Sequence, residues 1–405
     1  MLKYQTFQTL QNDILTNIDD YSMPVFNDFN YSQWPLEYDS ESKKNTQKMN
    51  FNNNDQTVIS FGTDNSQIRL NDEMKSSGIV IEDMKEAIST HWNLLEKYFF
   101  NSRFRIQDKL MALNFIKQNY GLFIYLPKNV QLKSVIKILN IQNDLEKLSF
   151  WGQILIIGDE NSKIKIIQRI KSEGQIANNF NLMVNVVGLN NSSIGFNACD
   201  TLGTKTTSFI RRQAFLFDSA ELNWSIGCLN NGNSINDFSS YLLGIKSQSD
   251  MKILSVSGNE QRQCVNSRII NVAPKTTGNI FQRGAVLDTS ELIFNGIGKI
   301  QKGAHGSEAE QKNRVLMLSN RSHGDANPIL LIDENDVLAG HAASIGRVND
   351  HEMYYLMSRG LTKNSAQNLI VKGFVNEFIH NLSSDDLSNL IEKEIEKKLN
   401  YGMAS

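Results

Sequence analysis

Cysteine is scarce in this chain: Cys199, Cys228 and Cys264 are the three in 405 residues. They lie about thirty residues apart and form no C-x-x-C pair. That excludes a disulfide framework and a zinc site of ordinary spacing, and it points to a reducing cytoplasm. Each thiol is expected to serve as a small buried apolar group. Long apolar runs are missing too; no stretch of ~18 apolar residues occurs, so no helix is expected to span a bilayer. The N-terminal residues hold neither the apolar core of a signal peptide nor a twin arginine, so export is not expected. The formal net charge is -2, and dense Lys/Arg runs are absent. Nucleic acid and anionic membrane are therefore excluded as partners. No Gly-Lys-Ser/Thr phosphate loop is present. Gly296-x-Gly298 and Gly303-x-x-Gly306 precede no βαβ unit, so neither is a dinucleotide fingerprint. Any ATP chemistry has to come from a partner.

Prolines number only five, while Asn, Gly and Ser recur through the middle of the chain. Asn and Gly adopt positive φ cheaply, so this mix suits short strands joined by tight turns. Hydrophobic residues make up 40%, enough for a sizeable core. The polar stretch from Asn27 to Asp55 reads as loop. Ile79 to Phe100 reads as one helix, because Met84, Ala87, Ile88, Trp92, Leu95 and Phe99 share a stripe. A second helix carries Leu110, Leu113, Phe115, Ile116 and Tyr120, with Gly121 as its stop. The apolar period then changes at Leu122. Runs of about four to six residues follow, among them Ile154–Gly158, Ile164–Ile167 and Glu291–Gly296, and no helix intervenes. More than two hundred residues of such strands bury their faces best in an irregular stacked solenoid. The helical period returns at Asn349. Asp350 caps a helix ending at Gly360; a second carries Ala366, Leu369, Ile370, Phe374 and Phe378. A third starts near Ser384 with Leu387, Leu390, Ile391, Ile395 and Leu399 inward and a Glu394–Lys398 pair on its exposed face. The expectation is a mainly β protein in three parts: residues 1–118 mixed and mainly helical, 119–348 a β core, and 349–405 helical.

Between Phe294 and Phe374 several motifs follow one another: Ala309-Glu310-Gln311, Arg314-Val315-Leu316-Met317-Leu318-Ser319, Asp325-Ala326-Asn327-Pro328, Asn335-Asp336-Val337, Gly340-His341-Ala342, and Tyr354 to Gly360. Upstream, His91 to Phe99 and Gly121 to Pro127 add to the pattern. Together these resemble the SufB/SufD core family of iron–sulfur cluster assembly over about three-quarters of the chain, weakly between Phe150 and Asn271. The resemblance implies a right-handed parallel β-helix flanked by N-terminal and C-terminal α-helical segments. It implies a non-catalytic scaffold subunit that pairs with a SufB-type chain through its β-helix end and docks a SufC-type ABC ATPase on its C-terminal helices. A solenoid that ends in an uncapped strand edge also makes a homodimer in isolation possible.

SufB-type members supply a cluster-ligand cysteine near the core's end, and this chain has none after Cys264. Ala339-Gly340-His341 resembles the SufD-type pattern, where Cys-Ser-His often stands; the departure removes any thiolate there. His341 is left as the candidate ligand of a transient cluster shared with SufB, with no permanently bound cofactor. Its plain alternative is a backbone hydrogen bond in a Gly/Ala-rich turn. His305 and His323 read as solvated. Tyr354, Tyr355, Met357, Arg359 and Phe374 are the candidate SufC-docking residues, because one short helix cannot bury so many large groups. Two competing readings are a SufB-like subunit holding its own cluster and a β-helix polysaccharide-active enzyme. The missing cysteine opposes the first; the absence of an acidic constellation opposes the second.

Overall fold

The computed structural model describes residues 2–36, 57–61, 66–100, 106–142, 149–172, 176–380, 382 and 385–401. From Tyr120 to Arg347 the chain winds into a parallel β-solenoid of about seven turns. Successive strands alternate between a ten-stranded and a nine-stranded sheet, one strand of each per turn. Strands such as Gln131–Gln142 and Asn178–Gly188 are longer than the four to six apolar residues that announce them. The flanking Asn, Ser and Thr join the ladders because each finds its register partner one turn away.

The corners explain the abundance of asparagine. Asn129, Asn161, Asn191, Ser219, Lys246 and Lys275 stack along one edge, all with φ between 55° and 64°. Each backbone N–H there donates to a carbonyl of the next turn. Asn191 Nδ2 donates to Asn161 Oδ1 at 3.1 Å, and Asn161 Nδ2 to Asn129 Oδ1 at 2.9 Å. A short amide side chain tolerates the left-handed conformation and bonds its copy above.

Inside, in-register stacking lines up like residues. Phe150 lies over Phe180 with centroids 4.3 Å apart. One inward row of the ten-stranded sheet reads Phe196, Trp224, Met251, Ile280, Gln311 and His341. Burying each large apolar side chain contributes about 1.5–3 kcal/mol. A bidentate Arg212–Asp200 pair also sits inside, both side chains fully buried, with Gln168 Oε1 accepting from the same guanidinium at 2.9 Å.

The N-terminal part differs from expectation. The stretch read as one helix is a strand, Val80–Asp83, followed by helices Met84–Thr90 and Trp92–Tyr98. Asp83 accepts from Lys85 N and starts the first helix; His91 separates the two. The next helix ends at Lys117, and Gly121 lies within the strand Tyr120–Leu126 instead of stopping the helix. A Cβ on Gly121 would meet Met84 Cβ at 2.4 Å, so its role is close packing. Strands Thr57–Phe61, Ser66–Ile68 and Val80–Asp83 extend both sheets, partly antiparallel, and cap the solenoid's first turn. Residues 22–36 form a strap across the nine-stranded sheet. Asn179 Nδ2 donates to Pro35 O and Asn327 Nδ2 to Asp28 Oδ2. The rest of the Asn27–Asp55 loop, residues 37–55, lies outside the described residues.

The C-terminal helices are Asp350–Ser358, Lys363–His380 and Asp385–Tyr401. Asn349, one residue before the expected cap, accepts from His351 N. Gly360 follows the first helix with φ 92°. Ser384 lies outside the described residues. The last two helices fold back over the ten-stranded sheet, and Val371, Val375, Phe378, Ile391 and Leu399 cover Cys199, Leu229 and Val256. Leu369 is on the exposed side, contrary to the predicted stripe. The Glu394–Lys398 surface pair is not formed: Glu394 pairs with Lys397, and Lys398 is buried against Asn230 O and Gln261 Oε1.

Candidate functional site

The two ends of the solenoid differ. Its first turn is capped by the N-terminal strands, whereas its last strands, His323–Ile332 and Val337–Arg347, have no further strand beside them among the described residues. A parallel edge of ten residues or more presents a row of N–H and C=O groups ready to pair with another chain. Apolar side chains stand along it: Leu331, Ile332 and Ile345 are exposed, and Leu338 is 70% exposed.

His341 occupies the middle of Val337–Arg347, in register with Gln311. Inward residues on Ser307–Met317 alternate as Ser307, Ala309, Gln311, Asn313 and Val315. His341 therefore continues an inward row at the final turn, where its ring is exposed only because nothing follows it. A Cβ on Gly340 would meet nothing within 4 Å, so the backbone here is open to approach. His305 and His323 are exposed, and His323 Nε2 lies 3.1 Å from Asp325 Oδ2. His351 lies in the first turn of a C-terminal helix.

The cysteines do not converge. Cys228 faces the solenoid interior, Cys199 lies beneath the C-terminal helices, and Cys264 lies beneath the N-terminal strap. Cys199 and Cys228 are about one turn apart, as are pairs such as Ser193 with Glu221, whereas Cys264 falls in the other sheet. Burial pushes all three thiols well above the usual range, which disfavours thiolates. Among the described residues no group of three His, Cys, Asp or Glu side chains could hold a metal ion.

The candidate docking residues fall into two sets. Tyr354 is 75% exposed, Tyr355 and Met357 are exposed, and Arg359 lies over the Tyr355 ring at 5.3 Å. Beside them a cleft of about 870 Å³, lined by Arg321, Arg347, Met353, Tyr354 and Lys363, opens between the last turn and the first helix. Phe374 is not displayed with them: it packs against the sheet, 5.3 Å from the Arg283 guanidinium, while its carbonyl accepts from Arg283 Nη1.

Residues 140–374 match the family model described as SUF system FeS cluster assembly, SufBD core domain, and residues 16–138 match the SufBD protein N-terminal region. The chain belongs to the SufBD family. It is 34% identical over 337 residues to the iron–sulfur cluster assembly protein SufD of Bacillus subtilis, covering 82% of this chain and 77% of that one. It is 23% identical over 328 residues to a SufBD family protein of Staphylococcus aureus, covering 80% and 70%. This SufD homologue is a mainly β solenoid with helices at both ends. No helix among the described residues is long and apolar enough to cross a membrane.

Sequence reasoning missed what lies beneath His341. Gln311 and Asn313 point into the solenoid with Gln282 one turn below, and all three are almost fully buried. The Gln-x-Asn alternation inside a strand was the available signal.

Proposed function

We propose that this SufBD family member is a non-catalytic scaffold subunit of a cytoplasmic iron–sulfur cluster assembly complex. Its bare solenoid end pairs with a SufB-type chain, and its first C-terminal helix docks a SufC-type ATPase. The observation that carries this reading is the asymmetry of the solenoid, capped at one end and open along two strands at the other. The nascent cluster is cargo, held transiently at the paired end. His341 supplies a neutral imidazole there, a good ligand for borderline iron, and the SufB-type chain supplies the thiolate. The small neighbours Gly340, Ala342 and Ala343 let two chains approach closely. The buried, protonated cysteines support the view that thiolate ligation falls to the partner.

Co-expression with the cognate SufB-type and SufC-type chains tests this. The three are expected to co-purify. Tyr354→Asp with Tyr355→Asp should lose the ATPase and keep the SufB-type chain. His341→Ala should keep both partners and the thermal midpoint but lower cluster yield severalfold. A normal yield from His341→Ala would remove that residue from the site; failure of the wild-type chains to co-purify would overturn the scaffold reading.

A further inference from the structure

The cleft between the last turn and the first C-terminal helix is positively charged. Three cations line it, Arg321, Arg347 and Lys363, against one carboxylate, Asp350. The chain as a whole carries -2, so the surplus is local. Asp350 opens the helix Asp350–Ser358, whose positive end already favours it. The three cations are exposed, and none forms an ion pair among the described residues. A concave site lined by one sign of charge focuses its field and draws in groups of the opposite sign.

Each cation stands on a fixed stretch of backbone. Arg321 lies in a tight corner, where its N–H donates to Ser319 Oγ at 3.1 Å and Ser322 Oγ donates to Ser319 O at 2.8 Å. Arg347 ends the strand Val337–Arg347 in register with Met317, and the next N–H, that of Val348, donates to Met317 O at 3.3 Å. Lys363 starts the second C-terminal helix. Gly360, with φ 92°, turns the chain back between the two helices, and Thr362 Oγ1 accepts from Ser365 N at 3.2 Å to cap the second. The walls between the cations are apolar. Met317 and Leu318 come from the solenoid and Met353 and Met357 from the helix, and Tyr354 stands 75% exposed among them.

A cleft of about 870 Å³ that sets cations beside apolar walls fits a protein segment in which acidic and apolar side chains lie together; a bare phosphate would use only the cations. Guanidinium groups bind carboxylates through two parallel hydrogen bonds, so Arg321 and Arg347 favour Asp or Glu. We propose that this cleft receives an acidic segment of the SufC-type ATPase, and that Arg321, Arg347 and Lys363 select that partner and speed its docking. This rests on the reading of the first C-terminal helix as the docking element. Tyr354 and Met357, both candidates for that docking, line the cleft. Two of the three cations, Arg321 and Lys363, lie off the edge strand along which a SufB-type chain would pair. Electrostatic complementarity of this kind acts mainly on the association rate and on the choice of partner.

The test measures capture of the purified cognate ATPase by the full-length chain, with association and dissociation rates read separately over a range of salt. Arg321→Glu with Lys363→Glu is the main variant; both residues are exposed, so the thermal midpoint should not move. Association is expected to slow by about tenfold or more. The salt dependence, steep in the wild type, should flatten. Arg321→Gln with Lys363→Gln should fall between the two, and capture of the SufB-type chain should be unchanged. An unaltered association rate and salt dependence in the folded Glu variant overturn the proposal, as does loss of the SufB-type chain in place of the ATPase. If the Glu variant docks the ATPase normally but loses binding of inorganic phosphate, the cleft is a small-anion site and the proposal falls. Tyr354→Ala with Tyr355→Ala separates the proposal from the reading beneath it. If that variant loses the ATPase while the Glu variant binds normally, docking on the helix stands and the acidic segment falls. If the Glu variant loses the ATPase while the tyrosine variant binds normally, the cleft stands and docking through the tyrosines falls.

Discussion

Lys398 is buried under the last helix, its ammonium donating to Asn230 O and Gln261 Oε1. Burial pushes its pKa down to about 7, and nearby Glu394 only partly opposes this. The sign of the consequence follows from proton counting. Above pH 7 the unfolded lysine keeps a proton that the folded one has lost, so stability rises with pH. The rise is visible from pH 7 to about 8.5, beyond which the buried thiols, raised in the fold, act in the opposite direction. Urea midpoints measured across that interval should increase, by no more than about 1.4 kcal/mol per pH unit. Lys398→Met should flatten the profile. A flat wild-type profile would mean that the ammonium stays charged in its socket. The sequence showed an i, i+4 Glu–Lys pair here; the helix turns the lysine toward the sheet, so its longer stem reaches carbonyls that no local pattern reveals.

The strap of residues 22–36 covers a buried charge. Phe26, Phe29 and Tyr31 pack on Phe209, Ile235 and Ile293, but beneath them lies Asp237, fully buried. Burial opposes its charge, yet Arg268 and Arg211 outweigh that and hold its carboxyl below the usual range. Arg211 also pairs with Asp108 at 2.7 Å, which caps the helix Lys109–Lys117. A depressed carboxyl contributes stability above its unfolded pKa and loses it as pH falls through the folded value. Asp237→Asn takes one of the two carboxylates from Arg211 and the carboxylate from partly exposed Arg268, and should cost about 1–3 kcal/mol. Limited proteolysis should then cut first within the strap, while wild-type protein resists at neutral pH. Strap cleavage at the wild-type rate would show that the aromatic contacts alone hold it. Loop composition announced this segment, but its course across the sheet depends on Asn179, Arg262, Asn295 and Asn327, which are far away in sequence.

At the scale of the whole molecule, the open end dominates. Two edge strands, each paired on one side only among the described residues, with Leu331, Ile332, Leu338 and Ile345 exposed, form a surface that favours a second sheet over water. Without a SufB-type partner the isolated chain should self-associate through this end. Sedimentation should show mass rising with concentration, and Leu338→Lys with Ile345→Lys should return it to monomer without moving the thermal midpoint. A monomer at all concentrations in the wild type would indicate that the edge needs its dissimilar partner.

The sequence by itself determined the order of the parts: helices, then strands of one sort, then helices. Period and turn chemistry are local properties, and an asparagine at positive φ or a two-residue alternation needs no distant partner to be read. The motifs from Phe294 to Gly360 also placed His341 near the end of the core, as the structure has it. Tertiary structure decided the rest. It divided three cysteines among three separate cores, moved Phe374 away from Tyr354 and Tyr355, and buried Lys398. It also set Gln311 beneath His341, thirty residues and one full turn away. In a solenoid every contact between turns joins residues about one turn apart, and the turn length here varies with each corner. Register, and with it the identity of each side chain's neighbour, is therefore set by the stacking of whole turns and not by any short window of sequence.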